Sequence, residues 1–118
     1  MVRNKIDKEV KKYMEREFRQ YSTNKKQIEK LEYEINSNST ETINYTSTRT
    51  ILYLKQRILY IENVIKQLKP FEKEVFDLIF KEGCDWTYCE NMKNITKSTY
   101  YNIYNKCIKL LAEEWGEI

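Results

Sequence analysis

The chain has 118 residues, 41% of them apolar, and a formal charge of +3 from 21 Lys and Arg against 18 Asp and Glu. Histidine is absent, which removes the commonest general base and metal ligand, and two glycines, Gly83 and Gly116, cannot build a phosphate-cradling loop. One proline gives too few turns for an all-β chain, so the expectation is a soluble all-α protein that binds a partner and is not an enzyme.

The first predicted helix covers residues 5–21. Ile6, Val10, Tyr13, Met14 and Tyr21 share one side at one hundred degrees per residue, with Glu17 intruding among them. Lys5, Lys8, Lys12, Arg16 and Arg19 form a basic stripe on the other side, read first as a solvated face and second as a phosphate-contacting one. Ser22-Thr23-Asn24 supplies turn or cap chemistry before a short helix over 25–35. Residues 36–48 then contain ten Asn, Ser or Thr in thirteen, which predicts a polar loop.

A third helix is predicted over 50–68. Leu54, Ile58, Ile61, Ile65 and Leu68 recur at alternating spacings of four and three, while Leu52 and Leu59 lie on another side. A helix apolar over most of its circumference is central to the chain or shared between two copies, so a homodimer through residues 50–68 is the alternative to an intrachain core. These elements make up an N-terminal helical region, 1–68. At Lys69-Pro70 a new segment begins, 69–118, because proline disfavours helix just before it and suits a first helical position. Phe71, Val75, Leu78 and Ile79 follow at helical spacing, and Gly83 is placed to end that helix in the left-handed region. A short helix over 85–92, capped by Asp85, and a long final helix capped by Thr96 complete a three-helix, helix-turn-helix layout.

Charge is unevenly spread. Residues 1–68 carry 14 Lys and Arg against 9 Asp and Glu, and residues 69–118 carry 7 against 9. Inside that acidic second half, 91–112 holds four lysines, Lys93, Lys97, Lys106 and Lys109, and no acid, as a helix meeting phosphate would. On the final helix Lys97, Ser98, Tyr101, Asn102 and Asn105 are expected to face outward with Thr99 beside them. Lys106 and Lys109 lie further along towards phosphate, and Thr96 can cap the helix and meet phosphate too. Three cysteines, Cys84, Cys89 and Cys107, with no CxxC pair and no histidine, make no four-ligand zinc site and read as small buried hydrophobes. No cofactor or metal is expected. The opening Met1-Val2-Arg3-Asn4-Lys5 runs directly into charge, so neither a signal peptide nor membrane association is expected, and the location is cytoplasmic.

Lys69-Pro70-Phe71-Glu72-Lys73-Glu74-Val75, Gly83, Ile95-Thr96-Lys97-Ser98-Thr99-Tyr100 and Leu110-Leu111-Ala112-Glu113-Glu114 resemble the fourth conserved region of bacterial sigma factors. Over residues 15–118 the chain resembles the phage and prophage transcriptional regulators of the RinA and ArpU type. The resemblance implies a sequence-specific duplex-DNA-binding regulator in a bacterial host cell, acting at a promoter with RNA polymerase. Two features depart from the family pattern. Cys89 and Met92 stand one residue upstream, implying a longer turn or a rotated helix with Glu90 in an awkward slot. Asn102 and Asn105 replace the basic residues usual there, pointing to base-edge contact. The alternative function is a packaging component, such as a small terminase-like subunit, that oligomerises through Leu54 to Leu68.

Overall fold

The computed structural model describes residues 7–37 and 41–116, and all regular structure among them is helical. Helix α1 is Lys8–Arg19, α2 Tyr21–Ser37, α3 Glu41–Lys66, α4 Pro70–Phe76, α5 Trp86–Lys93 and α6 Lys97–Glu114. None of them is long and apolar enough to cross a membrane. Lys5 and Ile6, placed in the first helix by their spacing, lie outside the described residues.

Asp7 caps α1, its carboxylate accepting the Glu9 amide at 2.7 Å. The break expected at Ser22–Asn24 falls earlier, on the single residue Gln20, and α2 has already begun at Tyr21. Burial decides this: Asn24 is packed inside the chain, and the Gln20 side chain accepts a hydrogen bond from Arg57 at 2.7 Å that fixes the joint.

The expected polar loop at 36–48 is also corrected. Residues 36–37 end α2 and residues 41–48 open α3, leaving only 38–40 outside the described residues. Helix α3 runs antiparallel to α2: Tyr21 donates to Glu62 at 3.0 Å, Glu32 pairs with Lys55 at 3.5 Å, and Asn36 lies across from Thr48. Ser47 is buried on the same face as Ile51 and Leu54, and the Thr50 hydroxyl donates to the Thr46 carbonyl at 3.1 Å. Packing against α2 therefore overrides the weak helix propensity of these residues, and a hydroxyl that could compete with the ladder bonds within it instead.

Leu54, Ile58, Ile61 and Leu68 are buried within the chain, whereas Ile65 is only partly covered and Val64 takes the fully buried place. Most of the seam is thus buried in the chain's own core. Leu52 and Leu59 stay exposed.

The buried cluster continues through both halves of the sequence. The Phe18 ring of α1 meets Phe76 edge-on at 5.2 Å and Phe80 at 4.5 Å, and beyond them lie Cys107, Ile108, Leu111 and Ala112 of α6. Helix α4 passes into one π-helical turn, Asp77–Lys81, closed by the Glu82 amide on the Asp77 carbonyl at 3.1 Å. That wider turn accompanies three consecutive buried residues, Leu78, Ile79 and Phe80, which no simple helical spacing predicts. Gly83 then takes φ +70° and ends the element, as expected.

Glu17, the intruder on the apolar side of α1, is explained by Arg57. The guanidinium donates through Nε and Nη2 to the two carboxylate oxygens, both at 2.7 Å, in a bidentate pair at the α1–α3 boundary. The Glu17 carboxylate raises the Arg57 pKa despite the opposing effect of burial.

Candidate nucleic-acid interface

Asp85 opens α5 by accepting the Tyr88 amide at 3.0 Å. Cys89 is the buried residue of this short helix; Glu90 and Met92 both point to solvent, so Glu90 occupies no awkward slot. Three residues then turn the chain. Asn94 adopts a left-handed conformation (φ 55°, ψ 47°), Ile95 is buried, and Thr96 caps α6 by accepting the Thr99 amide at 3.0 Å. The Thr96 hydroxyl also donates to the Thr99 hydroxyl at 3.0 Å.

Helix α6 is held on its inner side by α1, α3, α4 and α5. Tyr100, Ile103, Tyr104, Cys107, Ile108, Leu111 and Ala112 are its buried residues. Tyr100 reaches back to the Cys84 carbonyl at 3.5 Å, and burial pushes its phenol up to about 12. The other side presents Ser98, Tyr101, Asn102 and Asn105 to solvent, as their spacing predicts, with Lys109 partly covered along the same side. Apart from Lys97 at its start, this face is polar and uncharged over its first two turns. It can donate and accept hydrogen bonds without the desolvation penalty of an ionised group.

Two of the lysines are ion-paired with α4. Lys106 turns towards α4 and donates to both Glu72 oxygens, at 2.9 and 3.1 Å. Burial alone would raise the Glu72 pKa. The Lys69 amide at 2.8 Å and the Lys106 ammonium outweigh it and hold this carboxyl below its usual range. Lys93 donates to Glu74 at 2.9 Å, and Lys97 is exposed, as expected, with its ammonium over the Trp86 ring at 5.1 Å. The acid-free window in sequence is therefore not acid-free in space, because α4 brings its own carboxylates alongside. A groove of 330 Å³ between α4 and α6 is lined by Phe71, Glu72, Thr99, Asn102 and Lys106 among others.

Helix α1 borders the opposite side of α6. The Tyr104 hydroxyl donates to Glu15, and Lys11 lies over the Tyr104 ring at 5.4 Å. Lys8, Lys11, Lys12, Arg16 and Arg19 are all exposed. Lys11 had no place in the sequence-derived stripe, and only the pairing of α1 with α6 brings it forward.

All three cysteines are free thiols, and Cys84 is only partly covered where a buried one was expected. Cys89 and Cys107 are fully buried, and burial pushes the Cys107 thiol up to about 12. Among the described residues no group of three metal-ligating side chains comes together. No protein-family model, curated protein or solved structure matches the chain.

Proposed function

We propose that α5 and α6 form a helix-turn-helix unit, with α6 entering the major groove of duplex DNA. The observation that carries this reading is the outward face of α6: Ser98, Tyr101, Asn102 and Asn105 lie together on a capped helix braced along its inner side. A major groove about 12 Å wide admits one α-helix, and asparagine can bond bidentately to the edge of adenine. Thr96, Lys97 and Thr99 at the start of the helix are positioned for phosphate, and Lys109 for backbone contact further along.

The protein then acts as a sequence-specific transcriptional regulator of phage or prophage origin, working at a promoter with RNA polymerase in the cytoplasm of a bacterial host. This part of the reading rests on the resemblance to the RinA and ArpU type and to the fourth sigma region. The packaging alternative keeps one observation of its own. Leu52 and Leu59 are exposed and seven residues apart on α3, so a dimer or larger assembly would use them and not the buried seam. Mass in solution separates the two, a monomer or dimer fitting regulation and a ring of many copies fitting packaging.

Duplex binding is tested by fluorescence anisotropy on a labelled duplex across a series of salt concentrations. A handful of phosphate contacts gives a slope of log K against log salt of about −3 to −6. Equal binding at low and high salt removes the proposal.

A further inference from the structure

We infer that α1 is the phosphate-gripping element of this protein, its lysines meeting the DNA backbone beside the groove in which α6 lies. The inference rests on the duplex-binding reading above and adds a division of labour to it: α6 reads, α1 grips.

Three observations lead there. Three of the lysines around α6 are already engaged, Lys106 on Glu72, Lys93 on Glu74 and Lys97 over Trp86, while Lys109 has no ion pair among the described residues. A phosphate contact by Lys106 or Lys93 requires an existing ion pair to open, so the gain is partly cancelled. The cations of α1 are mostly in the contrary state, Lys11 alone among its lysines lying over a ring as Lys97 does. Among the described residues no carboxylate pairs with Lys8, Lys11, Lys12 or Arg16, and Arg19 pairs only with Glu15, at 3.5 Å. Of the three acids of this helix, Glu17 is turned inward onto Arg57, Glu15 pairs with Arg19, and Glu9 holds no ion pair among the described residues.

The third observation is position. Helix α1 runs antiparallel along α6, with Glu15 at Tyr104 and Tyr13 against Trp115 at 5.4 Å. Lys11 covers the Tyr104 ring, and the Tyr101 ring of the outward face lies 6.4 Å from that same ring. The free cations of α1 therefore begin one aromatic side chain away from the reading face. A helix seated in a major groove has a phosphate backbone on each side. On the α4 side Lys106 and Lys93 are paired with Glu72 and Glu74, leaving Lys69 and Lys73 without an ion pair among the described residues, and on the α1 side Lys8, Lys11, Lys12 and Arg16 are all without one.

The test is the salt dependence of duplex binding by the full chain and its variants. K8Q/K11Q/K12Q should make the log–log slope shallower by about two to three, at roughly 0.9 per lost phosphate contact. K106Q should change it by less than one contact's worth. K8Q/K12Q leaves the Lys11–Tyr104 contact in place and should still lose about two. K26Q/K30Q removes the same charge from exposed sites on α2 and should leave the slope unchanged. A wild-type protein that does not bind duplex overturns both this inference and the function it rests on. A wild-type protein that binds steeply, with K8Q/K12Q matching it or matching K26Q/K30Q, overturns this inference alone.

Discussion

Replacing Ile61 by aspartate should abolish the cooperative folding of this protein. Ile61 is 0% exposed in the C-terminal third of α3, the helix that packs on α2 along one stretch and on α6 along another. An unpaired carboxylate there, together with the loss of a fully buried side chain, costs several kcal/mol, on the order of half the ~5–15 kcal/mol that holds a small domain together. Thermal unfolding followed by circular dichroism should show no sharp transition above room temperature. Leu52→Asp is the matched control. It sits on the same helix but is 63% exposed, and its melting temperature should stay close to that of the wild type. An unchanged transition in Ile61→Asp would mean that α3 is not the centre of the core.

The second large effect is expected at the Glu17–Arg57 pair. The two side chains are 3% and 13% exposed, and the guanidinium also satisfies Gln20 at the α1–α2 joint. Arg57→Ala leaves a buried carboxylate without its counter-ion and should cost about 3–5 kcal/mol. The same rule makes a contrasting prediction for the double replacement Glu17→Leu with Arg57→Met, which removes both charges and keeps the volume. Its stability in urea should return to within about 1 kcal/mol of the wild type, because the desolvation of two ions disappears with their attraction. If Arg57→Ala and the double variant unfold at the same urea concentration, the pair is not isolated from water as its exposure implies.

The helical class, the Pro70 start, the Gly83 stop and the Thr96 cap were all legible from residue type and spacing, because each depends on local backbone chemistry. Features set by tertiary contact were not. Ser47 and Asn24 belong to residue types that favour turns, yet both are buried inside helices that pack on a neighbour. The π-helical turn at Asp77–Lys81 buries three residues in succession and erases the period on which the reading of that helix relied. Glu17 could be seen to intrude on an apolar face, but its partner stands forty residues away and no local pattern connects them.

The candidate site divides in the same manner. Ser98, Tyr101, Asn102 and Asn105 follow from counting along one helix, and they lie where the count puts them. The ion pair of Lys106 does not follow from that count, because Glu72 comes from another element. Lys11 could be found only by knowing that α1 lies against Tyr104.

The most direct measurement is selection of bound duplexes from a random library. It should be run with the wild-type protein, with Asn102→Ala, and with Ser98, Asn102 and Asn105 all replaced by alanine. The wild type should enrich one defined motif. Asn102→Ala should relax one or two positions of it, losing about 1–3 kcal/mol of discrimination there while the salt slope stays nearly constant. The triple replacement should bind without preference, since the gripping lysines remain and the reading groups are gone. A wild-type library that emerges unenriched, or a motif that survives the triple replacement intact, contradicts the claim that α6 reads DNA.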